Sequence, residues 1–366
     1  MSIVFSNEQK LIHQEIRRFA SAELNPIAGE IDKEAVFPGP IMKRLSDLGF
    51  LGILIPEEFS GAGLDAVSLC IILSQLARES ASVGVAVAAH SCLVTYPILR
   101  YGTSECKRAQ LPRLAGGEIG AFGSQIDLDA QCSDLQILKK NGSNVVDGSR
   151  MFVFNGETAQ NFIVPIAHEG HLFHLIQRDS TVLTEPQYLL GLRAAGIVKA
   201  RFKNTVLDGT AFSELPNTAN ALRDLYAFAD IGFSAVALGI AEACFDAAIA
   251  YSKERKQFKK AICEFPMVRE MLVDMKGNIE AARLLVFESA QLYDRNDDFI
   301  LAAHIARLHA CAASVEAGTA SVQIHGGYGY TKDYPVERYL RDAKSLQVLM
   351  RAPYETKAVI AKELLV

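Results

Sequence analysis

"QIHGGYGYTKDYPVERYLRDAKSLQVLMRAPYE", Gln323 to Glu355, is the stretch on which the reading of this chain turns. Two adjacent glycines, Gly326 and Gly327, follow an Ala- and Ser-rich helical run, and a short helix with a charged face leads to Lys344. Beyond it stand Met350 and Arg351, with no carboxylate before Glu355. The "HGGYGY" spacing is not GxGxxG, and it follows a helix rather than a strand, so a dinucleotide-binding βαβ unit is excluded. Adjacent glycines still let a backbone approach something flat or charged. Taken alone, they also suit a helix C-terminus.

Upstream, helical spacing continues. Residues 221–255 are Ala-rich and interrupted only by Gly232 and Gly239. Val268, Met271, Leu272, Met275 and Ile279 recur at helical spacing, and residues 297–324 are rich in small side chains. Long helices of this composition pack as an antiparallel bundle. Between about Gly120 and Leu215 the character is different: "RMFVFNG", "NFIVPIA", "HLFHLI" and "IVKARFKNTVLDG" are short β-rich runs broken by turn residues. Residues 6–117 read as helical. Ser6 and Gln9 form a capping box, Leu11, Ile12, Ile16 and Phe19 share a helix face, and the turn "PEEFSGAGLD" precedes "AVSLCIILSQLARES". The expected architecture is α+β multidomain: an N-terminal helical domain (1–117), a central β domain (118–216) and a C-terminal four-helix-type bundle (217–366).

Composition narrows the function classes. At 366 residues and 50% hydrophobic content the chain is long enough for two or three folded units. A net charge of −5 provides no basic surface for nucleic acid. No apolar run is expected to reach the ~20 residues of a membrane span. "MSIVFSNEQK" shows no basic start followed by an apolar core, so no export signal is expected. Seven scattered cysteines without a CxxC pair suit reduced thiols, and a cytoplasmic location is the expectation. His168, His171 and His174 lack a further ligand at metal spacing and alternate as a strand does, so no metal site is expected. His304 and His309 stand five apart in an Ala-rich helix and read as core or interface residues. "SKERKQFKK" gathers five cations after a long helix, which suits a solvated helix end or an anion site.

Together and in this order, "LGFLGILIPEEFSGAGLD", "YSKERKQF" and "QIHGGYGYTKDYPVERYLRDAK" resemble the acyl-CoA dehydrogenase family over nearly the whole chain. The resemblance implies FAD, an acyl-thioester substrate on CoA or a carrier protein, assembly into dimers or tetramers, and electron-transfer flavoprotein among the partners. In that family a glutamate takes the substrate α-proton while the flavin accepts hydride, and hydrogen bonds polarise the thioester. Residue by residue, Arg255, Gln257 and Phe258 match the segment that reaches a neighbouring chain's cofactor. Gln323, Gly326 and Gly327 match the turn that packs on the cofactor's ADP portion across the interface. Lys259 stands where the family has glycine.

The departures fall elsewhere. Met350, Arg351 and Ala352 lie on the family's Glu-Gly-Thr, so the expected catalytic position holds a thioether. Phe152, Val153, Phe154 and Asn155 lie on Trp-Ile-Thr-Asn, which puts Phe154 at the threonine that bonds the flavin. "SQIDLDAQCSD" replaces a Gly-rich loop. The substrate-facing arginine falls at Asp230, and a relocated base used by some members falls at Ala229. Three expectations follow. The first is a half-site or non-catalytic subunit that completes the FAD site of a related chain. The second is an oxidoreductase with a displaced base, Asp230 or Glu355. The third is a non-enzymatic scaffold.

Overall fold

The computed structural model describes residues 4–123, 135–212 and 218–365. The segment "SQIDLDAQCSD" lies outside the described residues. The N-terminal part is helical, with α1 (Asn7–Phe19), α2 (Asn25–Glu34), α3 (Gly39–Asp47), α4 (Ala66–Glu79), α5 (Ala81–Ala88), α6 (Tyr96–Tyr101) and α7 (Ser104–Ala115). The α1 capping box forms: Gln9 N–H donates to Ser6 Oγ (3.1 Å) and Ser6 N–H to Gln9 Oε1 (2.9 Å). Ile16 and Phe19 are buried, but Leu11 is 61% exposed. Five residues advance a helix by about 140° beyond a full turn, so Leu11 cannot share the face of Ile16.

The central strands are β1 (Gly120–Gly123), β2 (Leu135–Lys140), β3 (Ser143–Phe154), β4 (Asn161–His168), β5 (His171–Gln177), β6 (Val182–Pro186) and β7 (Val198–Val206). Their order is β5-β4-β1-β3-β7-β6, with β2 paired to β3. Alternation sends neighbouring side chains to opposite faces. Val153 and Phe162 enter a core private to the sheet, whereas Phe154 and Ile163 join the core shared with the helices. His168 and His171 face each other across the β4–β5 hairpin. The His174 ring, buried beside Thr210 Oγ1 (3.0 Å), is held down near pKa 4 by that burial.

The C-terminal part comprises α8 (Thr218–Glu254), a hairpin of β8 (Lys256–Gln257) and β9 (Lys260–Ala261), α9 (Pro266–Asp294), α10 (Ile300–His325), α11 (Val336–Val348) and α12 (Pro353–Leu364). Helix α10 packs on α8, α9, α11 and α12. Gly239 lets α8 lie directly on α4: a Cβ there would stand 2.2 Å from the Ser74 carbonyl oxygen. Asp294, ending α9, accepts the Ala66 and Val67 N–H groups (2.8 and 3.1 Å), so it caps α4 from across the core. One expectation is corrected here. Ala81–Tyr101 and Ala219–Glu254 are each long and apolar enough to cross a membrane by length and composition. Both are core helices instead, with 94% and 72% of their apolar windows buried inside the protein.

Candidate functional site

Met350 and Arg351 lie in the link between α11 and α12 and help to wall a cavity of about 660 Å³. Phe152 and the segment 187–192 form the facing wall. A β-bulge between Arg150 and Val153, where Phe152 takes φ +53°, aims that ring at the cavity. Met350 itself is buried at φ +70°, a left-handed conformation that costs an L-residue about 1–2 kcal/mol. The link is held from behind by Arg307, whose Nη2 donates to the Leu346 and Leu349 carbonyls (2.7 and 3.0 Å) that end α11.

Arg351 turns inward. Its Nη2 donates to the Asp230 carboxylate on α8, and the same Asp230 oxygen lies 2.8 Å from His304 Nδ1 on α10. All three side chains are buried. Burial by itself raises the Asp230 carboxyl, but Arg351, His304 and Arg307 outweigh it and hold the group below the usual carboxylate range. Phe154 belongs to the same core: it packs on Phe233 (5.6 Å between centroids), which lies 5.4 Å beneath the Arg307 guanidinium. Glu355 lines the cavity, half-buried, and caps α12 by accepting the Ala352 N–H at 2.6 Å.

A second concavity, about 510 Å³, brings together Arg255, Gln257, Gly326 and Gly327 from chain segments far apart. Gly326 ends α10 at φ +59°, ψ −134°, a region open only to glycine, and a Cβ on either glycine would meet open space. His325 stacks on Tyr251 (4.2 Å) and fixes the turn against α8. The β8–β9 hairpin turns on Phe258 (φ +50°) and Lys259 (φ +67°), the two-residue geometry that favours glycine or asparagine. Phe258 stands outside the cleft at the hairpin tip, 88% exposed. Gln323 is exposed one helical turn before Gly326 and does not line the cleft.

Sequence reasoning named Arg255, Gln257, Gly326 and Gly327, which the fold gathers in one cleft, but missed His304 and Arg307 as partners of the α11–α12 link. The available signal was their i, i+3 spacing on an otherwise small-residue helix, which places two polar side chains on one face.

The chain matches two family descriptions, "Acyl-CoA dehydrogenase, N-terminal domain" over residues 6–118 and "Acyl-CoA dehydrogenase, C-terminal domain" over residues 228–350. A short-chain-specific acyl-CoA dehydrogenase of Clostridium acetobutylicum is 33% identical over 99% of both chains. Butyryl-CoA dehydrogenase of Megasphaera elsdenii superposes with a TM-score of 0.94 at 28% identity, covering all of both chains. A chain from work on the electron transferring flavoprotein of Acidaminococcus fermentans superposes with a TM-score of 0.94 at 30% identity, again over all of both chains. This chain belongs to the acyl-CoA dehydrogenase family, and it is an acyl-CoA dehydrogenase-type flavoprotein.

Members of the family are FAD flavoproteins. The described residues fit that cofactor unevenly. The cleft offers an exposed guanidinium, Arg255, beside two backbone positions without Cβ, a donor set suited to a pyrophosphate. Phe154, in contrast, is buried against Phe233 and offers no side-chain donor to a flavin ring.

Proposed function

We propose that this chain is a half-site subunit that completes the FAD site of a related dehydrogenase chain carrying the catalytic glutamate. One observation carries the reading: the cleft of Arg255, Gln257, Gly326 and Gly327 is assembled and open, while the position expected to hold the base is filled by buried Met350 beside an Arg351 tied to Asp230. In this reading Arg255 holds the pyrophosphate, and Gly326 and Gly327 admit it closely. Gln257 borders the same group, and Gln323, exposed one helical turn earlier and outside the cleft, faces the partner chain. Phe258, exposed on a hairpin tip, packs into the partner. The bound FAD would supply the hydride acceptor for α,β-oxidation of an acyl thioester. Electrons would leave to an electron-transfer flavoprotein, and the assembly would work in the cytoplasm.

A displaced base is the second reading, with Asp230 and Glu355 as its two candidates. Asp230 is buried, ion-paired and held below the usual carboxylate range by Arg351 and His304, which suits a structural carboxylate. Glu355 lines the cavity and stays the better candidate. Co-expression with a homologue that retains the glutamate, followed by FAD stoichiometry, tests the proposal. One FAD per unlike pair is expected. A homotetramer with one FAD per chain and robust acyl-CoA oxidation of its own would overturn it.

A further inference from the structure

The cavity beside Met350 is more than a defunct site. Its lining is largely apolar, with Phe152, Leu189, Leu192, Val348 and Leu349, and its volume of about 660 Å³ falls in the range of small-ligand pockets. One charged side chain enters it from the core. Arg351 is 93% buried by its 7% exposure, and both hydrogen bonds recorded for it leave from Nη2. Nε and Nη1 are therefore unengaged among the described residues. Behind it, Arg351, Arg307 and His304 all act on a single carboxylate, Asp230. Arg307 Nη1 is buried without a partner. A buried guanidinium with donors left unmet is unfavourable unless an acceptor meets them. Glu355 opposes an incoming anion, but one oxygen is already engaged by the Ala352 N–H (2.6 Å), and the other lies 3.3 Å from the Tyr354 hydroxyl. Exposed Lys344 lines the cavity as well.

We propose that this cavity binds a carboxylate with an apolar body, its carboxylate paired with Arg351 and its hydrocarbon against Phe152 and Leu349. A guanidinium presents the planar pair of donors that a carboxylate accepts. Binding is the whole of the event: no bond is made or broken. The inference goes beyond the half-site reading and does not rest on it, because no partner chain or flavin enters the measurement.

The test is calorimetric titration of the full-length chain with decanoate, decanol and decylamine. Decanoate should bind about tenfold or more tightly than decanol, since a bond to a charged group is worth at least that factor, and decylamine should bind no better than decanol. The paired variant Asp230→Asn/Arg351→Met should reduce decanoate to the level of decanol. If that variant does not fold, the order of the three ligands on the wild-type chain decides alone. The mono-CoA thioester of decanedioic acid, run against decanoate, tells a free acid from the acid end of a thioester. Equal affinity for decanol and decanoate, or no decanoate binding at millimolar concentration, would overturn the proposal.

Discussion

Arg351 donates to Asp230 across 121 residues of sequence, and the pair is buried where helices α8 and α10 meet the α11–α12 link. Read singly, the two positions are an arginine and an aspartate that nothing in the sequence joins. In the fold they are one compensated unit. Neither charge is tolerable in that position without the other.

Removing one partner exposes this dependence. Asp230→Ala leaves Arg351 and Arg307 buried without a counter-ion and should cost about 3–5 kcal/mol of stability. Asp230→Asn/Arg351→Met removes both charges and should recover most of that loss. Urea unfolding of the single and double variants measures the coupling. Additive losses would show that the two side chains do not depend on each other.

A pH dependence should come from Asp342. Burial pushes its carboxyl up to about 7, against an ordinary value of 3.8, while it accepts the Leu192 N–H at 2.6 Å. The folded value is raised, so the native state holds a proton that the unfolded chain releases. The contribution is therefore full below about pH 4 and is lost as pH rises through about 7. Its size is on the order of a few kcal/mol. Asp342→Asn keeps an acceptor for Leu192 and should flatten this part of the stability profile. Denaturant midpoints at pH 5 and pH 8 check it.

Loss of the Arg255 guanidinium should be felt at the cofactor and not in the fold, because the side chain is exposed. A charge-assisted bond contributes about 1.5–3 kcal/mol, so Arg255→Ala should weaken FAD binding by the complex by one to two decades. Flavin absorbance per complex after gel filtration reads this directly. Full retention of FAD would place the pyrophosphate elsewhere.

Met350→Glu should not restore oxidation by itself. The new carboxylate would lie beside Arg351 in a buried setting, where pairing holds it ionised and strongly acidic. A working general base is worth about 10²–10⁴ in rate, and a gain under tenfold is expected here. Acyl-CoA-dependent dye reduction by the variant is the measurement. A gain of that full size would show that Arg351 leaves the position free.

Much of this molecule is written locally. Ser6 and Gln9 cap α1 because both partners lie within one turn, and the β-rich runs from Val145 to Val206 alternate because a strand repeats every two residues. The glycine turn at Gly326 and the run Met350–Ala352 without a carboxylate likewise need only sequence order to be seen. Burial and pairing between distant segments are different. Nothing within Ala81–Tyr101 says that its apolar surface is covered by protein. Asp230, His304 and Arg351 lie on three separate elements, and local periodicity carries no term that joins them. Only the packing of α8 against α10 and the α11–α12 link brings these side chains together out of solvent, which turns three unrelated polar residues into one buried cluster.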